Sequence, residues 1–351
     1  MKRLQPLLLL SLIAPLSLTA CGDSSAGDGD GDTSDASGDG DGDASTSGSE
    51  GETTAETTGD GDGDGDTGTD NYEKWEIRMP DYSPPAFLPT YYSCYSQTIE
   101  VDSPIQLVGF EPSVTDPHIH HYVVQVLETP TNDNPADPCL EEPWDDMIWG
   151  WAPGGESLFL PEDVGFLAGE SGTVTIRFQV HYNNPLNDSF TDNGGFDVFY
   201  VKDNLRPNNA GIATFGDINN ISIPADSVHQ HTATCSSAFT ENAFPDEMHV
   251  IGSWLHAHEV GSKLWGEIVP AGGGEPYELG REDPYYFDKQ TFKPITGVSL
   301  FPGDEVRTHC EYDNTGNSSP VQGGPQTQDE MCIHFVMYYP KSDAFDECGN
   351  L

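Results

Sequence analysis

From residue 71 onward the chain sets short apolar runs between polar punctuation. Residues 122–127, 173–181, 195–201, 248–255, 264–269 and 331–339 are rich in Val, Ile, Phe, Tyr and Thr. Gly, Pro, Asn and Asp cluster between them, as between strands. Apolar repeats at helical spacing are nearly absent. Spread over residues 71–351, this pattern predicts an all-β protein of two tandem antiparallel β-sandwiches, jelly-roll-like in character. The polar, proline-bearing segment 203–209 falls near the middle and marks the expected boundary, giving domains of 71–205 and 206–351.

Two stretches at the start lack the pattern. Residues 1–21 hold Lys2-Arg3, an apolar run from Leu7 to Leu18 broken by Pro15, and the sequence Leu18-Thr19-Ala20-Cys21. The run is too short to span a bilayer as a helix and predicts a cleaved signal peptide. The small residues before Cys21 look like a bacterial lipobox, in which the acylated Cys21 anchors the mature protein. An ordinary signal peptide with an incidental cysteine is the alternative. Gly22, in place of Asp, after Cys21 favours the outer membrane or cell surface, so export with attachment to a membrane through lipid alone is expected.

Residues 22–70 contain 16 acidic residues and no Lys, Arg or aromatic. Such a segment repels itself and cannot bury a core, so it is expected to be a disordered tether. Asp60, Asp62, Asp64 and Gly65 imitate a calcium loop, but its twelfth position is Asn71 where a bidentate Glu belongs.

Charge and cysteine narrow the function classes. Residues 71–351 carry 11 basic and 43 acidic residues, a net −32, which argues against nucleic acid or anionic membrane as a partner. Beyond Cys21 there are Cys94, Cys139, Cys235, Cys310, Cys332 and Cys348, an even number that suggests disulfides in an exported chain. None forms a CxxC pair, so a thiolate zinc site is not expected.

Five of the eleven histidines stand where strands begin or end. His256 and His258 are spaced i, i+2, which places both rings on one strand face. His120 and His121 would point to opposite faces of a regular strand and can share a metal only at a strand end or bulge. Pro117 makes such an irregular entry plausible. His181 closes a third run. Histidine clusters without thiolates suit copper, zinc, iron or nickel.

These residues fall in a pattern that resembles the copper type II ascorbate-dependent monooxygenases, the family of dopamine beta-monooxygenase and peptidylglycine alpha-hydroxylating monooxygenase. The resemblance rests on His120-His121, on the run from Trp149 through Phe166 to His181-Tyr182, on Trp254-Leu255-His256-Ala257-His258, and on Asp329-Glu330-Met331-Cys332 with its following strand. It implies two copper ions per chain. His120, His121 and His181 would hold an electron-transfer copper; His256, His258 and Met331 would hold the oxygen-binding copper and form the catalytic centre. A thioether among the ligands favours Cu(I), the state that meets dioxygen. The resemblance further implies bridges Cys310–Cys332 and Cys235–Cys348; Cys94, without its usual family partner, is left to Cys139. His118, His229, His231, His249, His309 and His334 are read as structural or surface residues.

By the same resemblance the partners are O2, ascorbate or a similar reductant, and a small organic substrate hydroxylated at a C–H bond. Trp254 stands where peptidylglycine enzymes carry an Arg, and Ile333 and Phe335 replace polar residues of those enzymes, which argues against a peptidyl-glycine substrate. Trp254, Ile333 and Phe335 are instead candidate contacts for an apolar or aromatic one. Two other classes stay open: a non-catalytic surface copper-binding or copper-storage protein on the same fold, and an adhesion or glycan-binding sandwich with incidental histidines.

Overall fold

The computed structural model describes residues 72–131, 139, 146–345 and 347–351. The expected signal peptide, Cys21, the acidic tether and the calcium-like loop lie outside the described residues.

Four sheets of four or more strands build the protein. In the first sandwich, the outer sheet runs Glu73–Arg78, Gly195–Val201, Ile105–Ser113, Val164–Ala168 and Asn208–Asn209, with Leu158–Phe159 pairing on Ile105–Ser113. The inner sheet runs Thr90–Glu100, Thr173–Asn183, Ile119–Leu127 and Met147–Trp151. In the second sandwich, the inner sheet runs Lys293–Leu300, Met248–His256, Cys332–Tyr339, Gly211–Asp217 and Glu347–Asn350. Its outer sheet runs Val228–Cys235, Glu305–Asp313, Gly261–Val269 and Tyr277–Glu282. The apolar runs of the sequence thus become strands, with ends displaced by a few residues. The all-β, two-sandwich architecture is as the pattern predicts.

Alternation along each inner strand gives it two separate tasks. Tyr122, Phe178 and Trp149 turn into the first sandwich, where they pack with Phe110 and Phe196. Their neighbours His121 and His181 turn the other way, toward the second sandwich. On the second inner sheet Ser253 and His334 point backward and hydrogen bond to each other at 2.6 Å, while Trp254, His256, Ile333 and Phe335 point toward the first. One continuous apolar cluster joins Tyr122, Val123 and Trp149 to Trp254, Phe292, Met331 and Phe335. The inner sheets therefore face each other across a seam packed by these side chains and flanked by cavities lined from both sandwiches.

Two pairings depart from the antiparallel expectation. Asn208–Asn209 runs parallel to Val164-Gly165, and Glu347–Asn350 runs parallel to Thr214–Asp217. Both are short segments at or beside a sheet edge. Arg206 fixes the junction before Asn208: its guanidinium donates to the carbonyls of Pro161 and Val164 at 2.9 and 2.8 Å, and its backbone N–H bonds Gln106. A seven-residue helix, Ser237–Ala243, was not expected; Ser236 caps it by accepting from the Phe239 N–H. It is too short to show a helical repeat in sequence. Among the described residues no helix is long and apolar enough to cross a membrane.

Disulfides join Cys94 to Cys139, Cys235 to Cys348 and Cys310 to Cys332. The second closes the second sandwich between Val228–Cys235 and its last strand. The third links Glu305–Asp313 to the first residue of Cys332–Tyr339, one position after Met331.

Candidate metal centre

The strand Ile119–Leu127 begins with a fault. Ile119 lies opposite Tyr182, yet His121 lies opposite His181, so the register slips by one residue at His120. A bulge of this kind lets two adjacent side chains share one side of a sheet, and it brings both rings to His181. The Nδ1 atoms of His120 and His121 are 3.1 Å apart, and those of His121 and His181 are 3.4 Å apart. The three histidines form the single His/Cys/Asp/Glu cluster among the described residues with the spacing of a metal site. Nitrogens bound at about 2.0 Å to one ion sit about 3.3 Å from each other in a tetrahedral arrangement, which the observed spacings match.

The outer side of this group is held from the opposite sandwich. His181 Nε2 lies 3.2 Å from Thr327 Oγ1, which in turn meets Thr90 Oγ1 at 2.9 Å. Tyr92 stacks on His181 at a centroid distance of 4.3 Å and donates its hydroxyl to the Pro325 carbonyl at 2.8 Å. Phe287 stacks on His120 at 4.0 Å.

His256 and His258 come from the end of Met248–His256 and the turn after it. His256 Nδ1 donates to Gln290 Oε1 at 2.5 Å, and His258 Nδ1 to the Asp329 carbonyl at 3.0 Å. Each bond fixes the proton on Nδ1 and leaves Nε2 as a lone-pair donor, the arrangement seen when a partner orients a metal-binding histidine. His258 Nε2 is buried with no hydrogen-bonding partner. An unpaired buried nitrogen is costly, and a metal ion would satisfy it.

The turn itself is braced on both sides. Tyr285 accepts the Ala257 N–H and donates to the Ala257 carbonyl, while the Glu330 carboxylate accepts the N–H groups of His258 at 2.8 Å and Val260 at 2.7 Å. Burial pushes the Glu330 carboxyl up to about 8, against the pull of those backbone N–H groups. Met331 is buried next to it; its carbonyl accepts from Tyr312 at 2.8 Å and its N–H donates to Glu330 Oε2 at 3.3 Å.

The two histidine groups meet: the rings of His121 and His256 are 5.5 Å apart. None of the five rings belongs to a residue more than 6% exposed. Burial, followed by the neighbouring rings, holds His121 and His181 well below the ordinary imidazole range. Burial also takes His120 and His258 down to about 4 and His256 to about 3. All five are therefore neutral near pH 7, and metal binding need not first displace a proton from a charged ring.

The comparisons with known proteins point the same way. The family model for the copper type II ascorbate-dependent monooxygenase N-terminal domain matches residues 75–189, and that for the C-terminal domain matches residues 208–350. The chain belongs to this family. It is 29% identical over 294 residues to dopamine beta-hydroxylase of Rattus norvegicus, covering 76% of this chain and 46% of that protein. It is 29% identical over 276 residues to tyramine beta-hydroxylase of Caenorhabditis briggsae, covering 73% and 46%. It is 28% identical over 273 residues to peptidyl-glycine alpha-amidating monooxygenase A of Xenopus laevis, covering 75% and 28%. The chain thus spans about half the length, or less, of the curated relatives it matches.

Within this copper monooxygenase fold, five of the other six histidines have ordinary partners. His118 meets Asp116 at 2.6 Å, His231 meets Asp217 at 3.2 Å, and His309 stacks on Trp265. Trp254, Ile333 and Phe335 are fully buried in the seam, with Trp254 packed on Phe335 at 4.9 Å and 5.9 Å from the His256 ring. Sequence reading passed over Tyr92, Tyr285, Gln290, Thr327 and Glu330. Glu330 stands in the Asp329–Cys332 motif, but nothing in the sequence marks it as a buried brace and not a surface carboxylate. Tyr285, Gln290 and Thr327 stand in polar segments that read as turns, and only their proximity to the imidazoles reveals a role.

Proposed function

We propose that this chain is a copper-dependent monooxygenase that hydroxylates a C–H bond of a small organic substrate, consuming O2 and an external one-electron reductant such as ascorbate. The reaction balances as R–H + O2 + 2 electrons + 2 protons giving R–OH and water, with the reductant supplying both electrons. In this reading residues 71–205 carry the electron-transfer copper on His120, His121 and His181. Residues 206–351 carry the oxygen-binding copper on His256, His258 and Met331. Copper, when bound, supplies dioxygen activation and one-electron transfer.

The observation that carries the reading is the convergence of five neutral, buried imidazoles from two sandwiches on one seam. The protein's own part is to hold them. Gln290 and Asp329 keep the His256 and His258 protons on Nδ1. Glu330 and Tyr285 fix the turn between them. Trp254, Ile333 and Phe335 lie on the same sheet face as His256 or beside it and are buried there, and these carbon side chains are what supports an apolar or aromatic substrate. Export and acylation at Cys21 would set the enzyme on a membrane surface by lipid alone.

The test is metal content and oxygen uptake of the mature chain. Two copper ions per chain, with reductant-dependent O2 consumption abolished by His256→Ala, are expected. Turnover that survives His256→Ala would remove the assignment. The near-complete burial of the rings also suits a protein that holds copper without turnover. Tight binding of two ions with no oxygen uptake across donors and substrates would decide for that second reading.

A further inference from the structure

Gly150 lies in Met147–Trp151, on the seam side of the first inner sheet. Its neighbours are anchored the other way: Trp149 stacks on Phe110 at 5.3 Å, and Trp151 packs 5.5 Å from Tyr122. Opposite Gly150 stands the Trp254 ring of the second sandwich. A Cβ built on Gly150 would overlap Cζ3 of that ring and lie 2.6 Å from Cη2 and 2.8 Å from Cε3.

Ring contacts brace both sides, with a cavity of about 450 Å³ beside Gly150, Trp151 and Phe292. Two buried tryptophans pin Gly150, and Phe292 at 5.5 Å and Phe335 at 4.9 Å hold the Trp254 indole. The indole N–H has no partner, so shape alone orients it. Two positions along the same strand face stands His256, whose ring is 5.5 Å from His121. A change in spacing at Gly150 is therefore carried by a stiff, paired strand to the point where the two histidine groups touch.

We propose that the fit of Trp254 against Gly150 is the spacer that sets how closely the two histidine groups approach, with Trp254 acting as a positioning residue for His256. The inference deepens the proposed function, since that spacing would govern passage of an electron between the two centres. As a statement about packing it holds with or without metal. An indole at position 254 and the lack of a side chain at 150 form one complementary pair.

Crystal structures of the metal-free chain test it directly. In Gly150→Ala the His121–His256 ring separation should grow by about 1.5 Å or more, the retreat the Cβ and the nearest indole carbon need to reach ordinary van der Waals distance. Gly150→Ala with Trp254→Phe, which removes the overlapping ring, should return it to the wild-type value. An unchanged separation in Gly150→Ala overturns the proposal. If Gly150→Ala alone does not accumulate, the double variant decides: folding with wild-type spacing supports the spacer, and failure to fold overturns it.

Copper-loaded samples separate this inference from the reading on which it rests. A wild-type chain that binds no copper pair would sink the proposed function while leaving the crystallographic result standing. With two Cu(II) bound, Gly150→Ala should keep both ions yet show weaker dipolar coupling by electron paramagnetic resonance, recovered in the double variant. Wild-type coupling in Gly150→Ala would count against the spacer.

Discussion

His120, His121 and His181 turn their Nδ1 atoms toward one another, whereas His256 and His258 turn theirs away, into Gln290 and the Asp329 carbonyl. A neutral imidazole has one N–H and one lone pair, so three inward nitrogens cannot all be satisfied by each other. The first group thus has its backbone bulge for a frame, with Thr327 beyond His181. The second already has its protons placed and its turn braced by Glu330 and Tyr285. The contrast separates two ways of preparing a metal site: convergence of the ligands, and orientation of each ligand by a neighbour.

The largest effect on this contrast should come from His121→Ala, because His121 touches both His120 and His181. On the proposed two-copper reading, copper content should fall from two ions to one per chain, with affinity at the emptied site reduced by more than about 100-fold, beyond the loss typical of outer partners. Metal analysis after dialysis reads it. Retention of two tightly held ions would show that the three nitrogens do not act as one site.

Gln290→Ala should produce a smaller effect confined to the other group. The His256 proton would no longer be fixed on Nδ1, and affinity there should drop roughly 10- to 100-fold, while the first group keeps its ion. Competition with a calibrated chelator measures each. Equal weakening at both sites would dissolve the distinction drawn here.

His334 gives the smallest effect and serves as a reference outside both groups. Burial holds this imidazole down to about 3, where it pairs with Ser253. The unfolded chain takes up the proton near 6.5 and the folded chain does not. Its contribution is therefore complete above pH 6.5 and is lost as pH falls toward the folded value. His334→Gln should be less stable than wild type at pH 7. Between pH 6.5 and 5 it should lose less stability than wild type, by up to about 2 kcal/mol. Urea unfolding at the two pH values checks this, and parallel losses in both proteins would refute it. Acid loss that persists in the variant then belongs to other groups.

Much of the fold was legible because alternation of apolar and polar residues at period two is a local property. Residues 195–201 were read as a strand and are one to the residue, and 173–181 became Thr173–Asn183. The helix Ser237–Ala243 was missed because two turns carry too little periodicity. The parallel pairings were missed because they depend on which edge a short segment returns to, a matter settled far away in the chain. The histidines stood out since five of them lie at strand ends.

The sequence by itself determined the strands, the faces of those strands and the chemical types available at their ends, because each follows from residues within a few positions. It held the His256–His258 spacing and the need for a fault at His120-His121. Only the tertiary structure decided that the fault occurs at His120, that Thr327 and Pro325 reach across to His181 and Tyr92, and that Trp254 fits Gly150. Those contacts join residues 146 and 233 positions apart, and Trp254 to Gly150, across the two sandwiches, and no local pattern encodes them. They exist because two apolar sheet faces had to be buried against each other.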